Sequence, residues 1–201
     1  MSPNLPEGWP KDRPMAVSIN IPLEWWVEGD SPGVSPLGNP LKSGYQDTAS
    51  LQWAEYALKH GIHRMLDIAE AADVKVTSSV SGIITESHPE ALKHLHEGGH
   101  EIQAHGWAQG QLPIYMDREE EDANIKMCLE AFDKCLGLRP LGYGVPRGTV
   151  SPNTEELLVE NGFKYYNDDM STDMPYVKET SAGPIAVVPY DMEVNDLPFH
   201  M

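Results

Sequence analysis

The sequence predicts an α/β domain built on a parallel sheet, either open or closed into a barrel. Three observations carry this. First, β-rich runs at residues 15–21, 74–80, 100–105, 140–147, 163–167 and 185–190 alternate with helical stretches at spacings that suit strand–helix–strand connections. Second, these runs end in polar residues that fall at one rim of such a sheet: Glu24, His105, Arg147, Asp169 and Asn195. Third, 201 residues with 40% apolar content suffice for one buried core. Residues 1–13 read as an arm and residues 14–201 as the domain.

In chain order, residues 15–21 read as a mostly apolar, buried strand that breaks at Pro22. Leu23-Glu24-Trp25-Trp26 follows, a carboxylate beside two indoles. Residues 27–46 are rich in Gly, Pro and Ser, and a loop of that length inside a domain is usually a lid or binding segment. Asp47 or Thr48 caps a helix over residues 50–59, and His60-Gly61 separates it from a second one. There Ile62, Met65, Leu66 and Ala69 share a face. Residues 74–80, β-branched and serine-rich, form a strand.

His88-Pro89 opens a helix with proline at its first position, Leu92 and Leu95 facing inward and His94 and His96 exposed. Gly98-Gly99 ends it, and the next strand carries His105. The run Arg118-Glu119-Glu120-Glu121-Asp122 places acids in a first turn, where the helix dipole favours them, and reads as a solvated face. Ile125, Leu129, Phe132 and Leu136 give that helix its stripe, and Gly137 stops it. Pro140 to Arg147 is a short strand with Tyr143 in the core, and Ser151-Pro152 starts the next helix with a cap. Residues 163–167 are a strand, 168–173 an acidic loop, and 185–190 a further strand.

Composition excludes some partners. Acidic residues outnumber Lys plus Arg by 31 to 14, a formal charge of −17, which repels nucleic acid and anionic membranes and favours small neutral or cationic ligands. No apolar run approaches bilayer length, and the first ten residues lack a secretory pattern. Cys128 and Cys135 stand two helical turns apart, about 10 Å of rise, too far for a disulfide, and read as core thiols. The expectation is a cytoplasmic protein.

One histidine after a strand is more often structural than catalytic. Convergence of several polar groups on one rim is what argues for a site. Ser18 to Trp26, Gly99 to Gln109, the Arg-Gly-Thr-Val-Ser-Pro-Asn-Thr run at 147–154, Asp-Met-Pro-Tyr at 173–176 and Asn-Asp-Leu-Pro-Phe at 195–199 occur in a recognisable order and spacing. In that order the chain resembles the polysaccharide deacetylase superfamily, and most of all the branch with metal-independent allantoinase and cyclic imide hydrolases. The resemblance implies a distorted (β/α) barrel of about seven strands. Members usually continue past the last stretch, so the resemblance also implies a barrel incomplete at its C-terminus. Either the chain is a fragment, or a homo-oligomer or second chain closes the sheet.

Family deacetylases hold a divalent metal with one Asp and two His spaced i, i+4. Here those positions read Pro22, His105 and Gln109, leaving one ligand of three, so neither a catalytic metal nor any other cofactor is expected. The resemblance then implies a hydrolase of non-peptide carbon–nitrogen bonds that opens a small neutral cyclic amide, imide or ureide. Alternatives are a metal-dependent deacetylase of an N-acetylated sugar, or an inactive binding subunit.

In the leading reading Glu24 is the base, its water excluded by the flanking indoles. His105 shares that role or protonates the leaving nitrogen, and Arg147 stabilises the oxyanion. Trp25, Trp26 and Trp107 stack the ring, and Gln109 and Asn195 pair with its amide edges.

Overall fold

The computed structural model describes residues 15–28, 30, 42, 45 and 47–196. Six strands form one sheet: β1 (Thr77–Val80), β2 (Glu101–Ala104), β3 (Gly142–Tyr143), β4 (Tyr165–Tyr166), β5 (Tyr176–Thr180) and β6 (Gly183–Val187). Their order is β1-β2-β3-β4-β6-β5, parallel except for the antiparallel β5–β6 hairpin at the edge. Beyond β1, Asn20 and Leu23 bridge in parallel to Thr77 and Val80, so this segment acts as a seventh strand. The sheet does not close among the described residues. The arm at 1–13, most of the loop at 27–46 and the last part of Asn-Asp-Leu-Pro-Phe lie outside them.

Several expectations are corrected. The run at 15–21 is not a buried strand: Met15 and Val17 are 72% and 73% exposed, and burial begins only at Ile21. With a neighbour on one side alone, an edge segment covers only the part that crosses the core. Second, His60-Gly61 does not separate two helices. α1 (Thr48–Tyr56), capped by Asp47, continues through a π turn at Ala57–Gly61 into α2 (Ile62–Ala71), because Gly61 keeps right-handed helical angles.

Third, β5 was not anticipated. Its side chains are exposed on both faces, so it shows no apolar alternation. Fourth, the helix after Ser151 starts at Thr154, and its N-cap Asn153 makes no side-chain cap bond. Cys128 is buried, its thiol pushed up to about 12, whereas Cys135 is only half-buried and not a core thiol.

Helices α3 (Ile84–Ser87), α4 (Pro89–Glu97), α5 (Arg118–Leu136) and α6 (Thr154–Glu160) complete the order. Ile62, Leu66, Leu92, Leu95, Ile125, Phe132, Leu157 and Leu158 pack on Val80, Ile102, Ala104 and Tyr143. β1 tolerates two buried serines because Ser78 Oγ donates to Ile21 O at 2.6 Å and Ser79 Oγ to Asn20 Oδ1 at 3.1 Å.

α5 begins with a capping box between Asp117 and Glu120. The acidic run behind it is not wholly solvated. Glu121 is 1% exposed, and its carboxylate accepts from Ser151 Oγ and Thr154 Oγ1, each at 2.5 Å, tying α5 to the start of α6. Replacing Glu121 with Ala strips two buried hydroxyls of their acceptor. A loss of about 2–3 kcal/mol is expected in denaturant unfolding, with a smaller loss for Glu121→Gln.

Candidate active site

Parallel pairing delivers the site residues to one rim. Leu23 N donates to Ser79 O at 2.7 Å and Ser81 N to Leu23 O at 3.0 Å, so the backbone entering Glu24 is fixed against β1. One strand over, His105 N donates to Val80 O at 2.9 Å at the end of β2. Glu24 Oε1 and His105 Nε2 therefore lie 3.7 Å apart, the imidazole mostly buried and the carboxylate 37% exposed.

His105 Nδ1 lies 2.8 Å from Gly144 O. A carbonyl only accepts, so Nδ1 carries a proton and Nε2 is the nitrogen turned toward Glu24. Nε2 has no partner among the described residues. At that 3.7 Å separation a water donating to both would bridge an unprotonated Nε2 to the Glu24 carboxylate. Gly144 permits this approach, since a Cβ there would stand 3.0 Å from Asn167 Oδ1, 3.2 Å from Gln103 Nε2 and 3.3 Å from His105 Nδ1.

The rim carboxylate is Asp168, not Asp169. Asp168 Oδ2 accepts from Val145 N at 2.8 Å. Burial pushes its carboxyl up to about 7, against the opposing pull of the Val145 amide and the His105 charge. Asp169 instead accepts from Tyr176 OH at 2.7 Å and from Ser171 N, outside the pair. The sequence did not mark it: Phe163 and Tyr166, both buried, lie on opposite alternating sets, and the bond from Val145 N is what singles out Asp168.

Tyr190 was also missed. Its phenol is raised by burial, lowered by the hydrogen bond from Asn195 Nδ2 and raised by the Glu24 charge. Asn195 thus reaches the Glu24 side through Tyr190.

The other candidates fall around this pair with different surroundings. Trp25 packs on the core and meets His88 edge-on at 5.1 Å between ring centroids. Trp26 lies against Gly110. Trp107 is a wall piece between α3 and α5: its backbone N–H donates to Asn124 Oδ1 at 3.0 Å, and its ring together with Cys128 leaves no room for a Cβ on Gly82. Gln109 is buried and donates from its backbone to Trp25 O at 2.8 Å, while its Oε1 is unpartnered among the described residues.

Arg147 sits in the left-handed region at φ 60°, exposed, on the turn Pro146–Gly148. Its guanidinium forms no bond with the described residues. Arg147→Gly is expected to stabilise the fold by about 1 kcal/mol in thermal unfolding by removing that strain, and to lower turnover if the cation serves the reaction.

A divalent metal is a poor match for this donor set. Pro22 offers no side-chain donor, Gln109 an amide oxygen, and no three His, Cys, Asp or Glu side chains gather to hold an ion among the described residues.

This rim, with its histidine at the end of a parallel strand, belongs to a known class. The polysaccharide deacetylase profile matches residues 49–166, and the chain is a member of that family. It is 30% identical over 142 residues to a peptidoglycan deacetylase of Helicobacter pylori, covering 70% of this chain and 48% of that protein. A peptidoglycan deacetylase-like protein of Gibberella zeae is 26% identical over 194 residues, covering 96% of this chain and 55% of that protein. The chain thus spans about half the length of the curated relatives it matches.

Among solved structures, a Mycobacterium smegmatis protein provisionally described as a polysaccharide deacetylase superposes with a TM-score of 0.82 at 26% identity, over 96% of this chain and 65% of that one. The Puue allantoinase superposes with a TM-score of 0.75 at 26% identity, over 90% and 63% respectively. No helix among the described residues is long and apolar enough to cross a membrane.

Proposed function

We propose that this chain hydrolyses a non-peptide carbon–nitrogen bond, opening a small neutral cyclic amide, imide or ureide without a catalytic metal. The observation that carries this is the Glu24–His105 pair at 3.7 Å, set where the family's metal positions read Pro22 and Gln109. In this mechanism a water between the two gives its proton to Glu24 as its oxygen attacks the ring carbonyl. His105, held through Nδ1 by Gly144, takes that proton from Glu24 on Nε2 and passes it to the departing nitrogen, so both residues end as they began. Arg147 swings over the oxyanion, and the indoles and Gln109 seat the ring.

The names of the curated relatives favour a second reading, removal of an N-acetyl group from a sugar. Incubation with hydantoin, succinimide and an N-acetylglucosamine oligomer, followed by mass spectrometry, separates the two. Ring opening adds one water and loses no carbon, whereas deacetylation releases acetate. Acetate from the oligomer with intact rings would overturn the first reading.

The exposed β5 edge, with Val177 64% exposed, supports a homo-oligomer in which a second copy covers it. A concentration-independent monomer mass contradicts that.

A further inference from the structure

Away from the Glu24 rim, the outer face of the α1–α2 helix carries an open surface groove of about 600 Å³ lined by Tyr56, Lys59, His60, His63 and Arg64. Four of its five lining residues are basic in a chain of formal charge −17. The groove sits on the π turn Ala57–Gly61, an irregularity that helices often keep at functional positions.

The polar groups are ordered. Arg64 Nη1 donates to Tyr56 OH at 2.7 Å, leaving most of the guanidinium fork open, and the Tyr56 and His60 rings meet at 5.5 Å. His63 is not an exposed stray, nor is His94 as the sequence suggested. Their Nδ1 atoms lie 2.7 Å apart with ring centroids at 5.0 Å and planes 17° apart. Rings so placed lie edge to edge and share a proton along the N–N line, with no room for an ion between them. His63 is thereby anchored to α4, and its other nitrogen is left for the groove. Beside it Glu55 pairs with Lys59 at 2.9 Å.

From this geometry we infer a second binding site, independent of the reaction at Glu24, for a compact dianion of the phosphate class. Arg64 supplies a planar two-pronged contact, His60, His63 and Tyr56 further hydrogen bonds, and Lys59 a point charge once it turns from Glu55 to the anion. A small anion suits this better than an extended polyanion. Charges beyond about 8–10 Å are screened, so a small ion feels the local cations while a polymer meets the acidic surface as well.

The test titrates the full chain with inorganic phosphate and, separately, phenyl phosphate, followed by calorimetry and histidine ring NMR. Saturable binding is expected, weakened at least about tenfold in the Lys59→Gln/Arg64→Gln double variant, with Arg64→Lys intermediate. Lys126→Gln, a cation paired with Asp122 elsewhere, should leave binding unchanged. Tighter binding of phenyl phosphate assigns the site to an organic ester, and equal binding to free phosphate. Both substitutions fall at surface positions, and unchanged melting temperatures confirm folded variants. Absence of saturable binding, or an equal loss in Lys126→Gln, overturns the inference.

Discussion

Glu24→Gln is expected to lower turnover on a ring amide by about 10²–10⁴-fold while the melting temperature holds. The size follows from the residue's place. Backbone bonds on both sides of Leu23 aim Glu24 at the rim, and its carboxylate makes no hydrogen bond that stabilises the described fold. Glutamine keeps the shape and removes the proton acceptor, so the loss should fall on kcat rather than KM. His105→Gln should fall nearly as far, and the double variant little further, because residues acting on one water do not contribute additively. If Glu24→Gln retains turnover, the base lies elsewhere.

The second large effect concerns pH. The Asp168 carboxyl stands at about 7 in the folded protein against an ordinary value of 3.8. Between those values the folded chain holds a proton that the unfolded chain has released. The raised value therefore makes a stability contribution that is complete below about pH 4 and disappears as pH rises through about 7. The full shift corresponds to about 4 kcal/mol as an upper bound, reduced by whatever water the half-buried carboxyl retains.

Asp168→Asn keeps an acceptor for Val145 N–H and removes the titration. Melting curves from pH 4 to 8 should show wild type losing stability relative to Asp168→Asn as pH rises, with the variant equal or better above neutrality. Parallel curves would contradict the assignment of that proton to Asp168.

What the sequence conveyed, and what it did not, follows from how each feature is encoded. Leu92, Leu95, Ile125 and Phe132 lie where helical periodicity places them, and His105 and Glu24 were legible because each directly follows a run that pairs in the sheet. The choice between Asp168 and Asp169 was misread by one residue, which in a strand is the difference between rim interior and exterior. Glu121 was hidden among acids that do face water, and only the hydroxyls of Ser151 and Thr154, 30 and 33 positions away, distinguish it.

The His63–His94 pair joins two helices across 31 residues and has no local signature. Strand β5 escaped because an edge exposed on both faces needs no apolar pattern. Barrel closure depends on pairing between distant edges, which no local pattern records.

The central claim is that Glu24 and His105 cleave a carbon–nitrogen bond with no divalent cation between them. Hydantoin turnover by chelator-dialysed protein, with metal content measured on the same sample, tests it most directly. Undiminished turnover at far less than one metal per chain is the expected result. Activity that is lost on dialysis and restored stoichiometrically by zinc would contradict it.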